Sequence, residues 1–199
     1  MYTLIGGVNS RAFRPLWALE ELGVEYTHDP AKARAPEVYA KNPLGKVPVL
    51  LDGDDILTDS VAIMTYLADK HGGLTAPAGT IARARQDAMT CWLIDEFDAL
   101  LWMAAKHSFV IPEDQRVPEI KPYLKDAFAK NVDTFADRIA GEFVMGDTMT
   151  VADILAVHCL NWAQGAKFDY DNDVVDAYAR RLRGRDAFKR VRALIPKPA

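Results

Sequence analysis

The sequence predicts a small mixed α/β domain followed by an all-helical one, on three observations. Strand-like and helix-like patterns alternate over roughly the first 70 residues. The segment Thr75-Ala76-Pro77-Ala78-Gly79 then reads as a linker. Every long apolar pattern beyond it has the helical period. The predicted domains are therefore residues 1–76 and 77–199.

Tyr2 to Ile5 is a short β-prone run ended by Gly6-Gly7. From Asn9 the period changes: Phe13, Leu16, Trp17, Leu19 and Leu22 share a helical face that Gly23 stops, with Asn9 or Ser10 as the expected N-cap. Pro15, one turn in, is tolerated near a helix start. Val24 to Thr27 is the second strand, and Pro36 to Ala40 a short helix in a polar stretch. Val47 to Leu51 and Ile56-Leu57 form a strand pair around Asp52-Gly53-Asp54-Asp55. Asp59 to Lys70 is helical again and closes at His71-Gly72-Gly73. Past the linker the expected helices are Ala82 to His107 as one long element, Glu119 to Ala140, Thr150 to Ala163, Asp173 to Arg183, and Asp186 to Leu194.

Composition narrows the function classes. The 199 residues are half apolar, with a formal net charge of −4 and no Lys/Arg run that would track phosphates, so nucleic acid is not expected as a partner. No apolar stretch approaches the ~20 residues of a membrane span, and the start of the sequence lacks the basic and apolar regions of a signal peptide. The two cysteines, Cys91 and Cys159, lie far apart within helical patterns, which suits a reducing cytoplasm. His28, His71, His107 and His158 show no metal-ligand spacing, so no metal is expected.

Two segments carry chemistry. In Asn42-Pro43-Leu44-Gly45-Lys46-Val47-Pro48-Val49-Leu50 a proline opens a strand, where it removes a ladder donor. If the Val47–Pro48 bond is cis, the Val47 backbone turns outward and offers its N–H and C=O to an extended peptide; taken alone, Pro48 is a trans proline at a strand edge. In Thr58-Asp59-Ser60-Val61-Ala62-Ile63, two short polar residues stand at a helix start, where free N–H groups favour an anion. Ser60 would take a ligand carboxylate and Asp59 a ligand ammonium; taken alone, either is a plain cap.

Together, Asn-Pro-x-Gly-Lys-Val-Pro-x-Leu followed by Asp-Ser-x-Ala-Ile on this background resembles the glutathione transferase family. Ser10 to Arg14 leading into Leu16-Trp17-Ala18-Leu19-Glu20-Glu21-Leu22-Gly23 looks like the family's first helix, and Thr150-Val151-Ala152-Asp153-Ile154 like its helical-domain capping motif. Physically, Thr150 and Asp153 read as a capping box with Met149 and Ile154 as its staple. The resemblance implies a thioredoxin-like first domain, a cis Pro48, and Val47 paired with the cysteinyl backbone of glutathione as co-substrate. Asp59 and Ser60 would hold the γ-glutamyl end. Lys46 would meet the glycyl carboxylate or stay solvated.

The family's chemistry needs an ionised thiol, and an unperturbed thiol titrates near ~8.5. A hydroxyl donor at the first helix's N-terminus supplies the stabilisation. Ser10 is the first choice for that donor and Asn9 the second, with helix capping as the alternative for both; Arg11 or Arg14 adds positive charge or is solvated. No cysteine lies in the loop, which argues against mixed-disulfide chemistry from there. Trp102, His107 and Phe109, on the helix that opens the second domain, are candidates for the wall of a second-substrate site. The implied activity is thiol addition to small electrophiles or reduction of peroxides, in a cytoplasmic homodimer. The rivals are a glutathione-dependent disulfide reductase, favoured by Asn9, and a catalytically silent glutathione-binding interaction protein on the same fold.

Overall fold

A computed structural model describes residues 1–195. They fall into two compact units, Met1–Ala78 joined by the segment from Leu182 onward, and Gly79–Arg181.

The first unit is built on a four-stranded sheet of order β2-β1-β3-β4. Its strands are β1 (Tyr2–Ile5), β2 (Tyr26–Asp29), β3 (Val49–Asp52) and β4 (Asp55–Thr58). β1 runs parallel to β2 and antiparallel to β3, which forms a hairpin with β4. Side chains alternate across a strand, so Leu4 and its partner Leu50 face one way and Ile5 and Val49 the other. Helices α1 (Phe13–Leu22) and α3 (Ser60–His71) pack together over Leu4 and Leu50, which are fully buried. The short helix α2 (Pro36–Tyr39) covers the opposite face, where Ile5, Val49 and Val38 form a core. Gly23 and Gly72 close α1 and α3 in the left-handed conformation that glycine adopts without a steric penalty.

Several boundaries differ from the sequence expectation, the helix expected to reach Ala140 ending at Ala136 among them, and three in the first unit have a local cause. β2 begins two residues later than expected, because its parallel register against β1 sets Tyr2 opposite Tyr26. β3 begins after Pro48, which has no N–H to give to a ladder. The residue that caps α1 is Ala12, and Ser10 instead stabilises the turn before it.

The sequence draws one break, near residue 77, yet the last helix, α9 (Asp186–Ala193), packs on α1 in the first unit. Phe188 meets Phe13 and Trp17 edge-on, at ring distances of 5.2 and 5.0 Å. Arg185 grips the Glu21 carboxylate with two hydrogen bonds of 2.7 Å, and the Trp17 indole N–H donates to the same group at 2.8 Å. An amphipathic helix pattern reveals which face seeks cover but not which surface provides it.

The second unit is helical: α4 (Ile81–Leu93), α5 (Ala99–Ala105), α6 (Ile120–Ala136), α7 (Val151–Gly165) and α8 (Asp173–Arg183). The long helix expected over Ala82 to His107 is interrupted by wide π turns at Ile94–Asp98 and Lys106–Val110. Each adds a residue to a turn, a change that a 3.6-residue pattern cannot register. Phe97, Phe128, Phe135 and Tyr178 form an aromatic core, with neighbouring rings 4.8 to 5.5 Å apart. No helix among the described residues is long and apolar enough to cross a membrane.

Candidate functional site

Strand registers bring three separated segments to one end of the first unit's sheet. Ile5 lies opposite Val49, and Val49 opposite Thr58. The loop after β1, the Val47–Pro48 dipeptide before β3 and the Asp59–Ser60 pair after β4 therefore share that end.

The loop is locked by close approach. Gly6 has φ +142°, and a Cβ there would lie 2.7 Å from the Ala12 Cβ and 3.0 Å from the Val47 Cβ. Only glycine fits that position without displacing its neighbours. The Gly6 N–H donates to Asp29 O at 2.8 Å, and the His28 Nε2 lies 2.9 Å from Gly6 O. Further along, the Ser10 hydroxyl donates to Gly7 O at 2.7 Å and accepts from the Ala12 N–H at 3.1 Å. A hydroxyl has one proton, and this contact uses it. Asn9 is exposed, and among the described residues no hydrogen bond engages its amide.

The Val47–Pro48 bond is cis. Val47 is half-buried, and among the described residues its N–H and C=O make no hydrogen bond. The preceding turn is fixed by Asn42, a buried residue to which the sequence reading assigned no task. Its amide donates to Lys46 O at 2.9 Å and accepts from the Leu44 N–H at 3.1 Å. A polar residue preceding Pro-Leu-Gly in a turn was the available signal. Lys46 is exposed.

Asp59 holds φ +72°, an unusual conformation for a residue with a side chain. Its Oδ1 accepts from the N–H groups of Val61 (2.8 Å) and Ala62 (3.2 Å), so it is the N-cap of α3. The Ile63 N–H goes to the Asp59 carbonyl at 3.0 Å. Of the first-turn donors this leaves the Ser60 N–H, which no hydrogen bond among the described residues engages. Ser60 is 2 % exposed, and its Oγ accepts from Arg14 Nη1 at 3.1 Å. Arg14 is thus not solvated, one of the two alternatives left open by the sequence; it is itself 2 % exposed. The run Phe13 to Leu19 is buried without a break, and an arginine inside such a run was the overlooked signal.

The first unit's main titrating cluster stands at the other end of the sheet, where Tyr2 pairs with Asp52. There Lys70 donates to Asp52 at 2.6 Å and to the Tyr66 hydroxyl at 2.7 Å. The Lys70 contact holds the Asp52 carboxyl below its usual range, and the Asp52 contact raises the Lys70 ammonium above its own. No group of three or more His, Cys, Asp or Glu residues able to hold a metal occurs among the described residues.

In the second unit, Phe109 is 71 % exposed and Trp102 half-buried with Lys106 Nζ 5.8 Å from its ring centre. The His107 Nδ1 accepts from the Val117 N–H at 3.1 Å. His107 and Phe109 both fall in the second π turn.

An arrangement with an open backbone dipeptide beside a vacant helix-start donor suits a short peptide that ends in an α-amino acid head. The family model for the glutathione S-transferase N-terminal domain matches residues 1–69. Glutathione S-transferase 4 of Zea mays is 30% identical over 92% of this chain and 87% of its own length. The chain belongs to the glutathione S-transferase family. The maleylacetoacetate isomerase of Rhizobium meliloti is also 30% identical, over 96% of this chain and 94% of its own. Among solved structures, a theta class glutathione S-transferase from Xanthomonas axonopodis with glutathione bound aligns with a TM-score of 0.78 at 25% identity, covering 98% of this chain and 99% of its own. A glutathione transferase from Methylococcus capsulatus aligns with a TM-score of 0.82 at 24% identity, covering 96% and 97% of the two chains. The first unit is the thioredoxin-like domain of this family, and a helical domain follows it.

Proposed function

We propose that this glutathione S-transferase family member binds glutathione on its first unit and activates the thiol for attack on small electrophiles or peroxides. One observation carries the reading: the register of Ile5 with Val49 and of Val49 with Thr58 gathers the loop, Val47–Pro48 and Asp59–Ser60 at one end of the sheet.

In this reading the Val47 N–H and C=O pair with the cysteinyl backbone, next to the cis Pro48. The γ-glutamyl carboxylate takes the Ser60 N–H and O–H, and its ammonium takes the Asp59 oxygen that the α3 cap leaves over. Lys46 meets the glycyl carboxylate. The thiol then lies against the loop after β1. The sequence favours Ser10 as thiolate donor, but its proton is given to Gly7 O, so in this reading the Asn9 amide is the donor and Ser10 the strut of the turn. Lowering a thiol's titration point by about two units requires ~2.7 kcal/mol of preference for the anion. A charge-assisted hydrogen bond contributes about 1.5–3 kcal/mol, so one well-aimed donor goes most of the way. The thiolate sulfur bonds to the electrophilic carbon and displaces its leaving group. Trp102, His107 and Phe109 form the wall for the second substrate, and the enzyme works as a cytoplasmic homodimer, as the family resemblance implies.

The spent proton of Ser10 also favours a second reading, a glutathione-binding protein without chemistry. The ultraviolet difference spectrum of bound glutathione against pH separates the two. A thiolate band near neutral pH that is lost in Asn9→Ala and kept in Ser10→Ala supports the enzyme and its donor. Binding without the band supports the silent protein. Faster turnover of a mixed disulfide than of a halonitrobenzene would instead mark a disulfide reductase.

A further inference from the structure

We propose that Arg14 is a positioning residue of the glutathione site: it orients and polarises the Ser60 hydroxyl for the γ-glutamyl α-carboxylate. The proposal rests on the assignment of Ser60 to glutathione made above.

Arg14 and Ser60 stand 46 residues apart in sequence, on α1 and α3, and meet in the interior at 3.1 Å. A guanidinium has donors only, so Ser60 Oγ is the acceptor in this contact and its own proton is directed elsewhere. The Ser60 N–H beside it has no hydrogen bond among the described residues, while Asp59 takes those of Val61 and Ala62. Ser60 therefore presents two donors, one from the backbone and one from the side chain. That is the pattern that one carboxylate accepts in a bidentate manner.

Burying a guanidinium is costly, and the residues flanking Arg14 on α1 are apolar: Phe13, Pro15, Leu16 and Trp17. Placed behind Ser60 in a low-dielectric interior, the cation strengthens the O–H as a donor through a polarised chain. The chemical class it selects for is an α-carboxylate, as against the amide or ester of the same peptide.

The test is calorimetric binding of two ligands, glutathione and its analogue with the γ-glutamyl α-carboxylate converted to a primary amide. Wild type should prefer glutathione by about ten- to a hundredfold, the range of one charge-assisted hydrogen bond. Arg14→Met should reduce that preference about tenfold. Arg14→Lys, which keeps the charge but loses the forked geometry, should fall between them. Ser60→Ala should cost less affinity in the Arg14→Met background than in wild type, since the two residues act on one group. An unchanged preference in Arg14→Met and Arg14→Lys, whatever happens to overall affinity, would reduce Arg14 to a structural residue and overturn the proposal. Should Arg14→Met fail to fold, Arg14→Lys decides alone. A wild type that binds glutathione and the amide equally, with Ser60→Ala silent, would instead overturn the assignment of Ser60 on which the proposal stands.

Discussion

Replacing Asp153 tests how much one buried carboxylate holds the helical unit together. Asp153 is fully buried at the start of α7 and receives four hydrogen bonds. Its Oδ1 accepts from the Val144 N–H at 2.8 Å and the Tyr178 hydroxyl at 2.8 Å. Its Oδ2 accepts from the Thr150 N–H at 2.8 Å and the Thr150 hydroxyl at 3.0 Å. The group thus ties the turn before α7, the α7 start and α8 into one node. In Asp153→Ala two backbone N–H groups, the Thr150 hydroxyl and a phenol lose their acceptor; at about 1–3 kcal/mol per orphaned buried donor, partly relieved by relaxation and by reorientation of the two hydroxyls, we expect a loss of about 3–5 kcal/mol. Asp153→Asn keeps one oxygen. Its amide nitrogen must face either the Val144 or the Thr150 N–H, and one donor against another implies about 1–3 kcal/mol.

The pH dependence of that loss has a definite sign. Burial raises the Asp153 pKa, and the hydrogen bonds from Val144, Thr150 and Tyr178 oppose the rise only in part. The folded state then holds this proton more tightly than the unfolded one. Stability from this group is fully present below the unfolded value of ~3.9 and declines as pH rises through the higher folded value. Asparagine lacks the titration, so the Asp153→Asn deficit should be largest in acid and shrink toward neutrality. Urea melts followed by circular dichroism, compared at constant slope, give both quantities. A deficit of zero at every pH would refute the node, and one that grows toward neutrality would refute the direction of the shift.

Gly6→Ala forces a Cβ to 2.7 Å from Ala12 in a backbone with φ +142°, so it should lower stability by about 2–4 kcal/mol and weaken glutathione binding, read by thermal melting and calorimetry. Phe188→Ala removes the ring that α9 places against Phe13 and Trp17, and a loss of about 3–4 kcal/mol, with a change in Trp17 fluorescence, should appear in denaturant melts. The Tyr26 phenol, raised by burial and by its hydrogen bond to Glu20, should ionise above the ordinary ~10 in an alkaline absorbance titration, with stability falling as pH climbs past that value. Glu20→Gln should bring its ionisation back toward the ordinary value, because the nearby negative charge is gone.

The fold was legible wherever local chemistry decides it. Gly23 and Gly72 end α1 and α3 because helix ends reward a left-handed residue, and Thr150 with Asp153 announces α7 because the pair satisfies first-turn donors. What eluded the sequence depends on partners far along the chain. The start of β2 follows from a parallel register with β1, and the home of α9 from the rings of Phe13 and Trp17 more than 160 residues earlier. The π turns at Ile94 and Lys106 leave the apolar pattern almost unchanged, so periodicity passes over them.

The candidate site divides along the same line. Val47–Pro48 and Asp59–Ser60 stand out because few structural needs call for a strand-opening proline and a polar pair in that spacing. What the sequence could not tell is how each polar group uses its hydrogen-bonding capacity, and the function turns on that. Asp59 and Ser10 both satisfy local donors, yet a carboxylate has two oxygens and a hydroxyl one proton. Asp59 can cap α3 and still receive a ligand ammonium, whereas Ser10 must give up Gly7 O before it can donate to a thiolate. Capping and ligand binding therefore exclude each other at Ser10 but not at Asp59. On the proposed reading the donor role therefore falls to Asn9, and the buried Arg14 acts on the site through Ser60, whose proton it leaves free.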